Sequence, residues 1–133
     1  MISRILISAA VLIFGLCQTL QGMDRWSALS QIESGDNDRA VGRAGEVSRY
    51  QLLPEIWERY APKDAKWENP KEALAAAKEA MQERCDGFER SKQRPPTDFE
   101  FYVLGNAPSQ IERPSAAVAE RAQRFCSLIK KSP

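Results

Sequence analysis

The sequence contains no histidine. That absence excludes His-dependent catalytic triads, zinc-protease helices and most His-containing metal sites. Acid–base chemistry near neutral pH then falls to a perturbed carboxyl, Lys, Tyr or Cys. Charge of one sign is also lacking. Lys and Arg number 19 and Asp and Glu 18, and Arg4 is among the basic residues. Without the first 22 residues the two signs balance. A nucleic-acid binder carries a basic stripe; none is visible, so no nucleic-acid partner is expected. The chain also has no strand-like alternation of any length, no internal repeat and no low-complexity tract.

Long apolar runs are confined to the start. Residues 1–4 carry one positive charge, residues 5–16 are almost wholly apolar, and polar residues follow. This is the layout of a secretory signal peptide. The run falls short of the roughly 20 residues that a membrane span needs. Cys17 invites a lipoprotein reading, but Phe14-Gly15-Leu16 lacks the small residue expected before a lipidated cysteine. Residues 1–22 are therefore assigned to a leader and residues 23–133 to one domain. That places the protein in the periplasm or outside the cell, with no stable membrane insertion after cleavage.

Two cysteines remain, Cys85 and Cys126. In an exported protein such a pair points to a disulfide, and closing so long a loop contributes roughly 4 kcal/mol at most. Two buried thiols on helix faces are the plainer alternative.

Helical signals fill the rest. Trp26, Leu29 and Ile32 recur at helical spacing over residues 24–33, with Asp24 at the cap and Gly35 placed for a left-handed stop. Residues 36–49 have no clean period and make a structured loop. Pro54 opens a second helix with Ile56, Trp57 and Tyr60 on one face, and Pro62 ends it. Asn69-Pro70-Lys71-Glu72 is a strong start for a long helix over residues 70–88. Thr97-Asp98-Phe99-Glu100 forms a second capping box before a short buried helix that ends at Gly105. Pro114-Ser115 starts the last helix, with Val118, Ala122, Phe125 and Ile129 on one face. The expected fold is all-α, a small domain of about five helices.

Glu33 stands where this apolar periodicity stops. Seven residues, close to two turns, separate it from Trp26, so both share the inward face. Packing beside Trp26 would strip water from the carboxylate and raise its pKa, and the negative end of its own helix pushes the same way. A carboxyl kept protonated near neutral pH can donate a proton to a glycosidic oxygen. The plain alternative is a solvated helix-end residue.

The stretch from Ala28 to Trp57 resembles the transglycosylase SLT domain of the lysozyme-like superfamily, which includes soluble lytic transglycosylases and goose-type lysozymes. Ile32-Glu33-Ser34-Gly35 resembles the Glu-Ser motif at the end of the first core helix, and Asn37 with Ala40-Val41 resembles the next segment. Gly45, Gln51-Leu52, Pro54 and Trp57 resemble the glycine-rich, Gln-containing turn and helix. Asn69-Pro70 and Ala75-Ala76-Ala77 resemble the long helix. Tyr102 and Asn106-Ala107 resemble the Tyr–Asn–Ala–Gly element, and Pro114, Val118 and the final helix also fit. Departures are Ser48 for a glycine, Tyr50 for a methionine, Val103-Leu104-Gly105 between Tyr102 and Asn106, and Pro108 for a glycine.

The resemblance implies a cleft for peptidoglycan glycan strands, acting on the bond between N-acetylmuramic acid and N-acetylglucosamine. It implies one catalytic Glu, here Glu33, as acid and then base, with a 1,6-anhydro product and no metal or organic cofactor. Ser34 would brace the Glu or the loop, Gln51 would line the cleft, and Tyr102 and Asn106 would shape the site, all four grouped as substrate-binding positions. The protein would work as a monomer.

Three alternatives stand beside this. Asp36, Asp38 or Glu46 could supply a second carboxyl and turn the site into an inverting hydrolase. Trp57 and Trp67 could stack on sugars, although core packing is the better account of them. Ser48 and the altered Asn106-Ala107-Pro108 element motivate a non-catalytic lysozyme-like protein that binds wall glycan or a protein partner. The run 71–78 reads as a solvated helix face. With no histidine to activate them, Cys85 and Cys126 are poor nucleophiles.

Overall fold

Asp24 starts the first helix by side-chain capping: its carboxylate accepts from the Trp26 and Ser27 amides. The computed structural model describes residues 22–130. The leader assigned to residues 1–22 therefore lies outside the described residues, Gly22 apart. Helix α1 runs Arg25–Ser34 and stops at Gly35, whose φ of 63° is the left-handed cap that glycine adopts without strain. Helix α2, Pro54–Tyr60, opens on a proline that needs no amide partner.

Helix α3 spans Pro70–Lys92, four residues beyond the expected end, and Gln93 closes it in a left-handed conformation. Asn69 caps it as expected, but Glu72 reaches the Lys66 amide at 2.8 Å and so ties down the preceding turn. Helix α4, Asp98–Asn106, has the full Thr97/Glu100 capping box, and α5 spans Ala116–Ile129 behind Ser115. A single 3-10 turn, Pro108–Gln110, joins these two. Among the described residues the fold is all-α, with no strand beyond isolated bridges.

Helix α4 is the axle. Phe101, Tyr102, Val103 and Leu104 are all buried, which is why this segment is apolar on every side. It packs on α3 and on α5, while α1 also packs on α5 and α2 on α3. Phe125 of α5 is fully buried and meets both Phe101 and Tyr102, with centroids 6.0 and 5.4 Å away. Trp26 stands edge-on to Phe101 and to Tyr50. Burying each such side chain stabilises the fold by roughly 1.5–3 kcal/mol. Trp57 also packs against this core.

The disulfide expected between Cys85 and Cys126 is not present: both are free, half-buried thiols. One belongs to α3 and the other to α5, and α4 packs against both helices. Burial raises both thiol pKa values, so neither is a ready thiolate.

The loop between α1 and α2 is held by backbone pairing at Val41–Val47 and Val47–Leu52. Its corner is Ser48, fully buried at φ 72° where the resembled family carries glycine. The left-handed conformation costs a non-glycine residue about 1–2 kcal/mol. Ser48 offsets part of this because its Oγ accepts from the buried Tyr50 amide at 3.2 Å. Ser48→Ala keeps the strain and orphans the amide, a loss of about 1–3 kcal/mol. Ser48→Gly relieves the strain while losing the same acceptor. Thermal denaturation is expected to rank wild type above Ser48→Ala, with Ser48→Gly about 1–2 kcal/mol more stable than Ser48→Ala.

Candidate active site

A groove of about 520 Å³ opens between α1, the loop, α3 and α4. Glu33, Gln51 and Asn106 all line it, three positions that the chain brings together from residues up to 73 apart. Its apolar wall is Leu29, Leu52, Ile56 and the α3 residues Ala77, Ala80 and Met81. Gly105 at the end of α4 lies close to Met81 Sδ, where an added Cβ would sit 3.3 Å away.

Glu33 is half-buried in the last turn of α1. Tyr102, fully buried on α4, donates from its phenol Oη to Glu33 Oε1 at 2.8 Å. Burial raises the Glu33 pKa from its ordinary carboxylate value. The Tyr102 hydrogen bond and the charge of Arg121 oppose that rise, and the charge of Glu46 adds to it. Burial and the neighbouring Glu33 push the Tyr102 phenol upward in turn, so it stays a hydrogen-bond donor. Trp26 plays no part here. It packs two turns back along α1 and lines a different groove, so the desolvation comes from Leu29, Tyr102 and the groove walls.

Ser34 does not line the groove. Its Oγ donates to Arg49 O at 2.8 Å and accepts from the Asn37 amide at 3.1 Å, so it pins the loop to the end of α1. Tyr102 likewise stays behind Glu33, orienting the carboxyl from the core side. Gln51 does face the groove, and its amide orientation follows from chemistry. Nε2 donates to Ser48 O at 2.9 Å, and a carbonyl can only accept, so Oε1 is left for the groove.

Of the three other loop acids, Asp36 accepts from Ser30 Oγ and Asp38 pairs with Arg49 at 2.7 Å, both structural roles. Only Glu46 lines the groove. It is held there by the Ala44 amide at 2.9 Å. Gly42 makes room for this arrangement: a Cβ there would collide with Glu46 Oε2 and lie 2.8 Å from Gln51 Oε1. Sequence reasoning missed the groove's arginines, Arg43, Arg84 and Arg121. Arg84 lies four residues after Ala80 and three after Met81, and Arg121 three after Val118 and four before Phe125, so helical spacing marks both; Arg43 stands in the loop without such a signal. Trp57 and Trp67 do not line this groove. Among the described residues no group of acids and cysteines is arranged to hold a metal ion.

Comparison with known proteins finds no matching family model, curated protein or solved structure.

Glu33→Gln keeps an acceptor for Tyr102 and removes the titration. A carboxyl whose pKa is raised on folding holds its proton more tightly in the folded state, so its burial costs stability only once pH exceeds the unfolded value, near 4.5. Thermal melts against pH are expected to show wild type and Glu33→Gln converging below that value. The variant should gain as pH rises through the raised pKa and hold a constant lead beyond it. A wild type that gains on the variant with rising pH contradicts the site as described.

Proposed function

We propose that the protein is an exported peptidoglycan-cleaving muramidase of the lytic-transglycosylase type, acting on the MurNAc–GlcNAc β-1,4 bond. One observation carries this reading: the desolvated carboxyl of Glu33, held by Tyr102 at the floor of a groove shared with Gln51 and Asn106. The sequence resemblance and the leader-like start add support. Protonated Glu33 gives its proton to the glycosidic oxygen as the bond to the muramyl carbon breaks. The resulting carboxylate then takes the proton of the muramyl 6-hydroxyl, whose oxygen closes the 1,6-anhydro ring. Tyr102 keeps the carboxyl aimed at the groove in both steps. The substrate is held as a glycan strand, with Gln51 and Asn106 offering polar contacts along the cleft.

Glu46 favours a second reading. It is a second carboxylate on the same groove, close enough for its charge to act on Glu33. In a two-carboxylate scheme Glu46 takes a proton from a water that attacks the muramyl carbon, and the product is a reducing end.

Digestion of purified peptidoglycan with mass analysis of the products tests both. Anhydro-muramyl ends are expected from the first scheme and reducing ends from the second. Glu33→Gln is expected to slow product release at least about 100-fold, the contribution of a positioned general acid. Tyr102→Phe removes the hydrogen bond to the carboxylate that forms as Glu33 gives up its proton, worth about 1.5–3 kcal/mol, and should slow release about 10- to 100-fold. Wild type that binds glycan without releasing products, equally well with Glu33→Gln, would instead assign the chain to the non-catalytic glycan binders.

A further inference from the structure

The groove around Glu33 is unusually rich in unpaired positive charge. Its charged lining is Glu33 and Glu46 against Arg43, Arg84 and Arg121. Elsewhere, Arg25, Arg49 and Arg94 each hold a carboxylate within 2.8 Å. None of the three groove arginines is in a salt bridge among the described residues.

Arg84 is the fixed member. Its Nη1 donates to Leu104 O at 2.9 Å and Gly105 O at 3.0 Å, the carbonyls at the C-terminal end of α4. That anchors the guanidinium beside Asn106 and leaves Nε and Nη2 without a hydrogen-bond partner among the described residues. The side chain is half-buried. A guanidinium held partly out of water with one edge free is a poor arrangement for stability alone and a good one for an incoming carboxylate. Arg121 comes from α5, close enough for its charge to act on Glu33, and Arg43 comes from the loop. Three elements thus deliver cations to one groove, and the two arginines on exposed positions remain free to close on a ligand.

We propose that Arg84, Arg121 and Arg43 form a carboxylate subsite beside Glu33, so that the groove selects an anionic, carboxylate-bearing wall glycan over a neutral chito-oligosaccharide. The carboxylate belongs either to the lactyl group of the muramyl sugar or to its stem peptide; both present the same planar, two-oxygen acceptor to the guanidinium edge. This inference rests on the wall-glycan reading and deepens it.

Binding is measured by titration calorimetry in the Glu33→Gln protein, where turnover is suppressed. Three probes are compared: a neutral chito-oligosaccharide, a muramyl oligosaccharide with free lactyl carboxylates, and the same strand carrying stem peptides. At least one carboxylate-bearing probe is expected to bind about tenfold or more tighter than the neutral one, with a preference that shrinks as salt is raised. The tighter of the two identifies which carboxylate is read. Adding Arg43→Gln and Arg121→Gln, both exposed and outside the core, should cut the preference severalfold and leave what Arg84 supplies, while neutral-probe affinity stays within about twofold. Adding Arg84→Lys, which keeps the charge but loses the planar fork, should weaken only the carboxylate-bearing probe. Equal binding of neutral and anionic probes, or a preference left unchanged by the double arginine substitution, overturns the subsite alone. Failure to bind any of the three overturns the wall-glycan reading and the subsite with it.

Discussion

A phenol and a carboxyl, Tyr102 and Glu33, hold this molecule's groove to its core. Tyr102 lies in the middle of the most buried helix and has no access to water, so its hydroxyl must find a partner inside. Glu33 ends α1, where the backbone turns away at Gly35 and the side chain alone reaches toward α4. The bond between them fixes the end of α1 against the axle of the fold. It also lowers the cost of burying the carboxyl without cancelling it, because the pKa remains raised. A looser α4 would lose both the support of the core and the orientation of the desolvated Glu33 carboxyl.

The loop between α1 and α2 depends on the same corner. Ser34 ties its far limb back to α1 through Arg49 O, and Asp36 returns to Ser30. With those anchors set, the turn at Ser48 and Gln51 must use left-handed backbone, at φ 72° and 50°. Strain of this kind persists only where surrounding contacts over-determine it. Here the contacts are the Tyr50 amide on Ser48 Oγ and the Gln51 amide nitrogen on Ser48 O. The result is a polar acceptor from Gln51 beside the Glu46 carboxylate, with Gly42 as the flat ground beneath them. A loop without regular structure is thereby as well specified as a helix, and it carries one wall of the groove.

Much of this was legible in the chain before folding. Asp24, Asn69, Thr97 and Ser115 each mark a helix start, because capping is a contact between residues two or three apart. Gly35 marks a stop for the same local reason. The place of Glu33 at the end of an amphipathic turn, and the lack of histidine that makes a carboxyl the natural acid, are also properties of the string. What failed were particular directions in space. Trp26 shares a helix face with Glu33 yet packs toward Phe101 and Tyr50, two turns away along the axis. Cys85 and Cys126 fit a disulfide on number and on the expectation of export, but α4 packs on the helices that carry them and both remain thiols. Ser34 belongs to the resembled motif and turns out to brace the loop.

The sequence by itself determined the helices, their caps, the all-α class and the candidate acid, since each rests on interactions within one or two turns of chain. Only the tertiary structure decided what surrounds that acid. Which of three loop carboxylates faces the groove, which arginines enter it, and where the Gln51 carbonyl points all follow from packing between elements far apart in sequence. Helix periodicity alone does not fix those choices. They are settled by how α4 seats between α3 and α5, and by the buried Tyr102 hydroxyl that had to find Glu33.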